Sequence, residues 1–335
     1  MKHNQTLKKL CRGLTLVELM ISLVLSLMIM GGAISVFMGS KETFRLEEDL
    51  SRVQENFRYI ADRLTKDLSM VGYSGCVLPY KDNSTTINNL VNVSSGIRDV
   101  IRGEENGASP DSITLSYALT GTGVAITGGG KDLDDTINIS TSTDLYAALK
   151  ANFNATDENQ VPVTLLVGNC DGGDIFVPTD MVDVTDEGGN PTGEAALLHA
   201  KAEPIAGVYN TSKSFSYPYG DNELSLSRVF FMEDVTYDIC TDNSGATGLC
   251  VKRGGGNREM LMPDVTDLQV QYGLDSAASE DGNTDHYMDW VNTIENADIT
   301  GIKVTLTMVL NQVSGNDVKK VYTFTVKLRN MGLDI

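Results

Sequence analysis

The sequence predicts an α+β protein, in which a long N-terminal transmembrane and amphipathic helix packs on a mostly antiparallel β head domain. Three observations support this fold class: a 25-residue apolar run, an apolar stripe with helical spacing directly after it, and short β-rich runs separated by turns. The expected organisation is a basic leader at residues 1–13, a transmembrane helix at 14–38, an amphipathic stalk helix at 39–72 and a β-rich head at 73–335.

The apolar run extends from Leu14 to Met38, and Glu18 is its only charged residue. As a helix it is roughly 37 Å long, enough to cross a hydrocarbon core of about 30 Å. A conventional secretion signal has a shorter apolar stretch, of about 7–15 residues, although the pattern at 33–35 leaves that alternative open. Basic residues before the span place the N-terminus in the cytoplasm and the head on the other side.

A helical stripe of apolar residues follows Gly39 and ends at Gly72, a residue typical of helix ends. Oppositely charged residues four apart, Glu48/Arg52, Arg58/Asp62 and Arg63/Asp67, are expected on the solvent-facing side. Gly31, Ser35 and Gly39 favour close approach of neighbouring helices, whereas Gly31-Gly32 can equally be a bend. The stripe consists of Leu46, Leu50, Val53, Phe57, Ile60, Leu64, Leu68 and Val71.

The head is predicted to be mostly β, with one short helix at Thr143–Asn152 and a mobile loop at 183–194. The last two strands, Ile302–Asn311 and Val318–Leu328, are expected to form a hairpin with its turn at 314–317. The other predicted strands are Ser112–Ala118, Val161–Val167, Arg228–Tyr237 and Asp267–Tyr272.

Charge and cysteine content restrict the classes of function. Without residues 1–13, the formal charge falls from −19 to −23, which argues against nucleic acid as a partner. Four cysteines lie beyond the apolar run, an even number that indicates two disulfides formed in an oxidising compartment. Of the three possible pairings, Cys240–Cys250 closes a short loop and is favoured, which leaves Cys76 and Cys170 as the second pair.

The segment from Arg12 to Leu23, RGLTLVELMISL, resembles the class III signal of type IV prepilins and type II secretion pseudopilins. The resemblance implies that a prepilin peptidase cuts after Gly13 and methylates the new terminus at Leu14. Glu18, the fifth residue of the mature chain, then becomes the carboxylate that pairs with the α-amine of a neighbouring subunit. Leu14 departs from the family, in which this first residue is most often phenylalanine.

The head resembles that of the PilW group of minor pilins, through its opening at Gly72-Tyr73-Ser74-Gly75-Cys76 and its closing stretch 323–330. That resemblance implies a minor pilin that helps to initiate pilus assembly and supports twitching motility or adhesion. Its partners would be other minor pilins, the major pilin, the prepilin peptidase and the inner-membrane assembly platform. It would reside in the inner membrane, with a periplasmic head, before it joins the surface pilus. The alternatives are a minor pseudopilin of a type II secretion system and a tip adhesin or ligand-binding module.

No motif in the sequence indicates a catalytic site or a cofactor, so an enzyme is not expected. The phosphate-loop and nucleophile-elbow patterns both fail at required positions. Asp281, Asn283 and Asp285 are candidates for calcium through their oxygen atoms, but they lack the full EF-hand spacing, and an acidic turn is the simpler interpretation. Trp290 is expected to pack in the core or in a hairpin, with an adhesive surface as the alternative.

Overall fold

A computed structural model of the chain describes residues 15–77, 80–81, 84–85, 87–91, 100–107, 109–129, 136–153, 162–199, 208–219, 227–275, 282–291, 294, 299–310 and 318–330. The chain divides into two compact units, one up to Asn56 and the other from Phe57 onward. A 55-residue helix, α1 (Leu16–Met70), begins in the first unit and ends in the second. The protein is therefore a long N-terminal helix followed by a mostly antiparallel β domain, which confirms the predicted α+β class.

Helix α1 ends where the sequence predicts. Gly72 adopts a φ of 71°, a left-handed conformation that glycine tolerates and that stops the helix. The side-chain amide of Asn330 donates hydrogen bonds to the carbonyls of Ser69 and Val71, at 3.4 and 3.0 Å. Because the last carbonyls of a helix lack intrahelical partners, Asn330 satisfies groups that would otherwise be left unpaired.

The β domain contains strands and one further helix, α2 (Asp144–Phe153). The strands, in chain order, are β1 (Tyr80–Lys81), β2 (Ser84–Thr85), β3 (Ile87–Asn89), β4 (Ile101–Glu104), β5 (Ser112–Ala118), β6 (Val124–Gly129), β7 (Ile137–Ser140), β8 (Leu165–Asn169), β9 (Gly172–Phe176), β10 (Asp180–Thr185), β11 (Pro191–Leu198), β12 (Arg228–Thr241), β13 (Thr247–Arg253), β14 (Glu259–Pro263), β15 (Val265–Leu274), β16 (His286–Asp289), β17 (Ile299–Leu310) and β18 (Val318–Lys327).

The larger sheet is organised around the 14-residue strand β12. The first part of β12 pairs with β6 and β8, and its later part pairs with β5 and β13. Among the described strands of this sheet, β3 and β9 alone run parallel. Buried residues from these strands and from α2 form one apolar core cluster, which includes Leu149, Phe176 and Tyr219.

The second sheet has the strand order β16-β15-β17-β18. One face carries buried apolar residues, among them Tyr272, Val304 and Leu306. The part of α1 that belongs to this unit packs nearby, and the ring of Phe57 stacks on that of Tyr322 at 4.2 Å between centroids.

Several predicted elements are confirmed. Strand β5 has the predicted bounds, α2 is shifted by one residue, and β17 and β18 pair antiparallel as the expected hairpin. The predicted turn at 314–317 lies outside the described residues. Strand β8 begins only at Leu165: of the predicted residues before it, Val161 lies outside the described residues and 162–164 are not part of the strand.

The prediction of a mobile loop at 183–194 is wrong. Strands β10 and β11 pair across this segment, and only residues 186–190 form the turn. The Asp186 carboxylate accepts hydrogen bonds from the backbone N–H groups of Gly188 and Asn190, at 2.9 and 2.8 Å. A composition rich in Gly, Asp and Asn is therefore that of an ordered hairpin turn here, since an aspartate can satisfy the turn's backbone itself.

Candidate assembly site

The first turns of helix α1 form an exposed apolar surface. The best 18-residue window of α1 has a mean hydropathy of 2.3, and none of it is buried. Among the described residues, α1 is the one helix long and apolar enough to span a membrane. Leu16, Ile29 and Phe37 are 77%, 73% and 69% exposed. Such a surface requires a lipid or protein partner, because water does not favour contiguous apolar area of this size.

Glu18 lies in the first turn of α1 and is the only charged residue in the helix before Lys41. Its backbone N–H donates to the hydroxyl of Thr15 at 3.3 Å, so that Thr15 acts as the N-cap. Threonine followed three residues later by glutamate is the capping-box pattern. A carboxylate in the first turn also interacts favourably with the positive end of the helix dipole. Glu18 therefore has a local role at the helix start besides any role between subunits.

Gly13 and Leu14 lie outside the described residues, so the geometry of the cleavage point and of the new amine stays a prediction. Further along the helix, Gly31-Gly32 remains helical. A Cβ atom placed on Gly31, Gly32 or Gly39 would meet nothing within 4 Å. The backbone of α1 is therefore accessible at these three glycines, and a neighbouring helix could approach it closely there.

The end of α1 is held to the head by a buried polar cluster centred on Asp67. The hydroxyl of Tyr237 donates to the Asp67 carboxylate at 2.5 Å, and that of Tyr117 donates at 3.2 Å. The guanidinium of Arg253 donates to it at 2.6 Å and to Glu233 at 3.1 Å. Burial, followed by the charge of Asp67, raises the pKa of Tyr117 to about 12. Burial, followed by the hydrogen bond to Asp67, also raises the pKa of Tyr237, so both tyrosines remain neutral donors at physiological pH.

This cluster corrects one prediction. Asp67 was expected on the solvent-facing side with Arg63, but it is 6% exposed, and the Arg63 side chain approaches it only at 4.0 Å. Asp67 lies seven residues after Ile60 and three after Leu64, which are both buried, and so occupies the apolar stripe. From this spacing the sequence could have predicted that the Asp67 carboxylate is buried and therefore needs partners from the head.

The four head cysteines lie at disulfide distance in the same two pairs that the sequence favoured. The Cα atoms of Cys76 and Cys170 are 5.0 Å apart, and those of Cys240 and Cys250 are 5.9 Å apart. The first pair connects the segment after α1 to the turn between β8 and β9, across 94 residues. The second bridges the β12–β13 hairpin. Their oxidation in the native protein stays a prediction.

The calcium candidates are described only in part, so calcium binding by this set is not tested. Asp281 is outside the described residues, and the side-chain oxygen of Asn283 accepts a hydrogen bond from Lys327 at 3.2 Å. No group of three His, Cys, Asp or Glu side chains among the described residues could hold a metal ion. Trp290 is half-buried and packs edge-on against Tyr272, with ring centroids 4.9 Å apart.

Comparison with known families identifies the N-terminal segment. The prokaryotic N-terminal methylation motif matches residues 8–34. This motif supports a type IV pilin or pseudopilin, and it implies processing by a prepilin peptidase and assembly with other pilins. No curated protein matches the chain. No solved structure matches it.

The motif and the apolar helix together support membrane anchoring before assembly into a fibre. They suggest a structural protein rather than an enzyme. The match covers the N-terminal signal alone, so the role of the head must be argued from its own residues.

Proposed function

We propose that the chain is a minor pilin that joins a priming complex and helps to start assembly of a type IV pilus. The observation that carries this proposal is the exposed apolar helix with one carboxylate, Glu18, inside a matched N-terminal methylation motif. A helix with this surface serves first as a membrane anchor and then as the contact between packed subunits. The large head, which follows one such helix, favours a minor subunit of the PilW kind.

The proposed assembly step pairs Glu18 with the α-amine of a neighbouring subunit. Cleavage after Gly13 would create that cation at Leu14, at membrane depth. A charge in an apolar environment is costly unless it is paired, so the neighbouring amine is the expected partner. The capping geometry at Thr15 leaves this possible, because the contact seen there uses the backbone N–H of Glu18 and not its carboxylate.

The experiment that tests this role compares Glu18→Ala and Glu18→Gln with unchanged protein. We expect leader cleavage and membrane insertion to persist, while incorporation into sheared pili and piliation fall together. Glu18→Gln keeps the shape and removes the charge, so it separates the ion pair from hydrogen bonding. Ser22→Ala is the matched control, since the Ser22 hydroxyl is exposed on the same helix and contacts only the carbonyl of Leu19.

Normal incorporation and piliation in both Glu18 variants would defeat the assembly role. Loss of leader cleavage would instead show that Glu18 is recognised by the peptidase. Either result is distinct from a general folding defect, which would also appear as loss of the two head disulfides.

A minor pseudopilin of a type II secretion system is the second candidate, because the same motif supports it equally. Gene neighbours separate the two most directly: a pilus cluster favours the first, and secretion ATPase and secretin genes favour the second. A tip adhesin is a third candidate. It predicts that deletion within residues 80–225 abolishes attachment and leaves fibres intact.

A further inference from the structure

The four-stranded sheet β16-β15-β17-β18 has an acidic half and a basic half. The segment 264–291, which forms β15 and β16, holds seven acidic residues and neither lysine nor arginine. The segment 299–330, which forms β17 and β18, holds five basic residues and one acid. In a chain with 45 acidic and 26 basic residues, this basic half is a local reversal of the overall charge.

The two halves meet inside the sheet through a row of side chains. The amide of Gln271 on β15 donates to the carboxylate of Asp289 on β16, at 3.0 Å. The ammonium of Lys303 on β17 donates to the carbonyl of Gln271, also at 3.0 Å. Asp289, on the outermost strand β16, is therefore linked through Gln271 to Lys303 on β17, and its side chain is still exposed.

Both outermost strands of this sheet lack a second strand partner among the described elements. Strand β18 pairs only with β17, and β16 pairs only with β15. Along β18, Lys319, Lys320 and Val321 are all exposed, and Val321 reaches 62%. Neither lysine has an ion-pair partner within the described part of the chain. A ten-residue edge whose outer backbone groups pair with no further strand among the described elements can accept another strand.

We propose that the β18 edge binds the β16 edge of a second copy of this chain. Charge complementarity selects this occupant, since Lys319 and Lys320 on one edge meet the acidic segment that carries Asp289 on the other. Lysines on an edge strand often serve only to prevent pairing. Here the opposite edge carries the opposite charge: the segment 264–291, which includes β16, holds seven acidic residues and no lysine or arginine, so the two edges attract each other.

The contact is heterologous, because two different edges of the sheet meet. Such contacts build rings or open arrays rather than closed pairs. The β16 edge is only four residues long, so the strand contact is small and depends on local concentration, which membrane anchoring of both copies would raise. The inference goes beyond the proposed function and does not depend on Glu18.

Photo-cross-linking of the full-length chain in the membrane tests the contact. A photo-reactive phenylalanine analogue replaces Val321 in one tagged copy, and a second copy carries another tag. We expect a two-copy adduct whose cross-linked peptide contains residues 286–291. The matched control places the analogue at Val182, which is 50% exposed on strand β10, another edge of the head, and should not cross-link to 286–291.

Charge reversal makes the test specific. Lys319→Glu with Lys320→Glu should lower the adduct yield several-fold, and high salt should do the same. Asp289→Lys in the other copy should restore the yield. Disulfide mapping of each variant shows that its head has folded. Adduct yield unchanged by charge reversal, equal yield from Val182, or adducts that contain only a different protein would each overturn the proposal.

Discussion

Arg253 on strand β13 binds the Asp67 carboxylate near the end of helix α1, across 186 residues of sequence and at a distance of 2.6 Å. The Asp67 side chain is 8% exposed and that of Arg253 is 29% exposed. With Tyr117 and Tyr237 on the same carboxylate, this ion pair is the polar centre of the contact between the helix end and the head.

Asp67→Ala should strongly destabilise the head, because it removes the acceptor of two buried tyrosine hydroxyls and the closer of the two carboxylates that bind Arg253. Breaking a buried pair by removal of one partner costs about 3–5 kcal/mol. Urea unfolding of the detergent-solubilised mature chain measures this change. The matched control is Asp183→Ala, because its pair with Lys150 is about half exposed and exposed pairs contribute little to stability. Equal effects of the two substitutions would contradict a central role for Asp67.

The head should lose stability at alkaline pH. The folded-state pKa of Tyr117, about 12, lies above that of an unfolded tyrosine, about 10. A raised folded-state pKa contributes stability that is present below pH 10 and is lost as the pH rises toward 12. The free energy of unfolding should therefore fall by about 2–3 kcal/mol over this interval for Tyr117 alone.

Burial and hydrogen bonding to Asp67 raise the pKa of Tyr237 in the same direction. Tyr117→Phe should accordingly reduce the alkaline slope without removing it. Urea midpoints at a series of pH values between 9 and 12 measure the slope. If Tyr117→Phe leaves the dependence of the urea midpoint on pH unchanged, Tyr117 does not cause the loss of stability at alkaline pH.

The two cysteine pairs should contribute unequally to stability. Non-reducing peptide mapping is expected to find Cys76 joined to Cys170 and Cys240 joined to Cys250, with no free thiol in the head. The Cys76–Cys170 bridge closes a loop of 94 residues, whereas Cys240–Cys250 closes one of 10. If disulfides stabilise by reducing the entropy of the unfolded chain, replacing the first pair by serine should lower the free energy of unfolding by roughly 2 kcal/mol more than replacing the second. Recovery of free Cys240 from exported protein would contradict the pairing.

N-terminal mass analysis of the mature protein should show a chain that begins with N-methyl-Leu14. The expectation follows from Arg12-Gly13-Leu14 ahead of Glu18, within the matched motif. Gly13→Ala should be processed poorly, and larger residues at this position should block cleavage. An intact Met1, or a start at Val36 as ordinary secretion would produce, would refute this processing.

The sequence is most informative where structure depends on local pattern. The apolar run, the helical stripe and strand β5 are short-range features, and periodicity alone locates them. The partners of Asp67 could not be predicted, because Tyr117, Tyr237 and Arg253 meet it only after strands β5, β12 and β13 have paired. The hairpin of β10 and β11 was missed for a related reason: its polar composition resembles that of a loop, and its order comes from pairing and from Asp186.

Asn330 has a consequence for the timing of the protein's production. Its amide satisfies the carbonyl of Val71, a residue made 259 positions earlier, so the end of α1 cannot be completed while the chain is still emerging. The anchor must therefore enter the membrane ahead of a head that is still incomplete. Until residue 330 has been synthesised, the carbonyls of Ser69 and Val71 lack this donor, and the last turn of the helix is open to fraying.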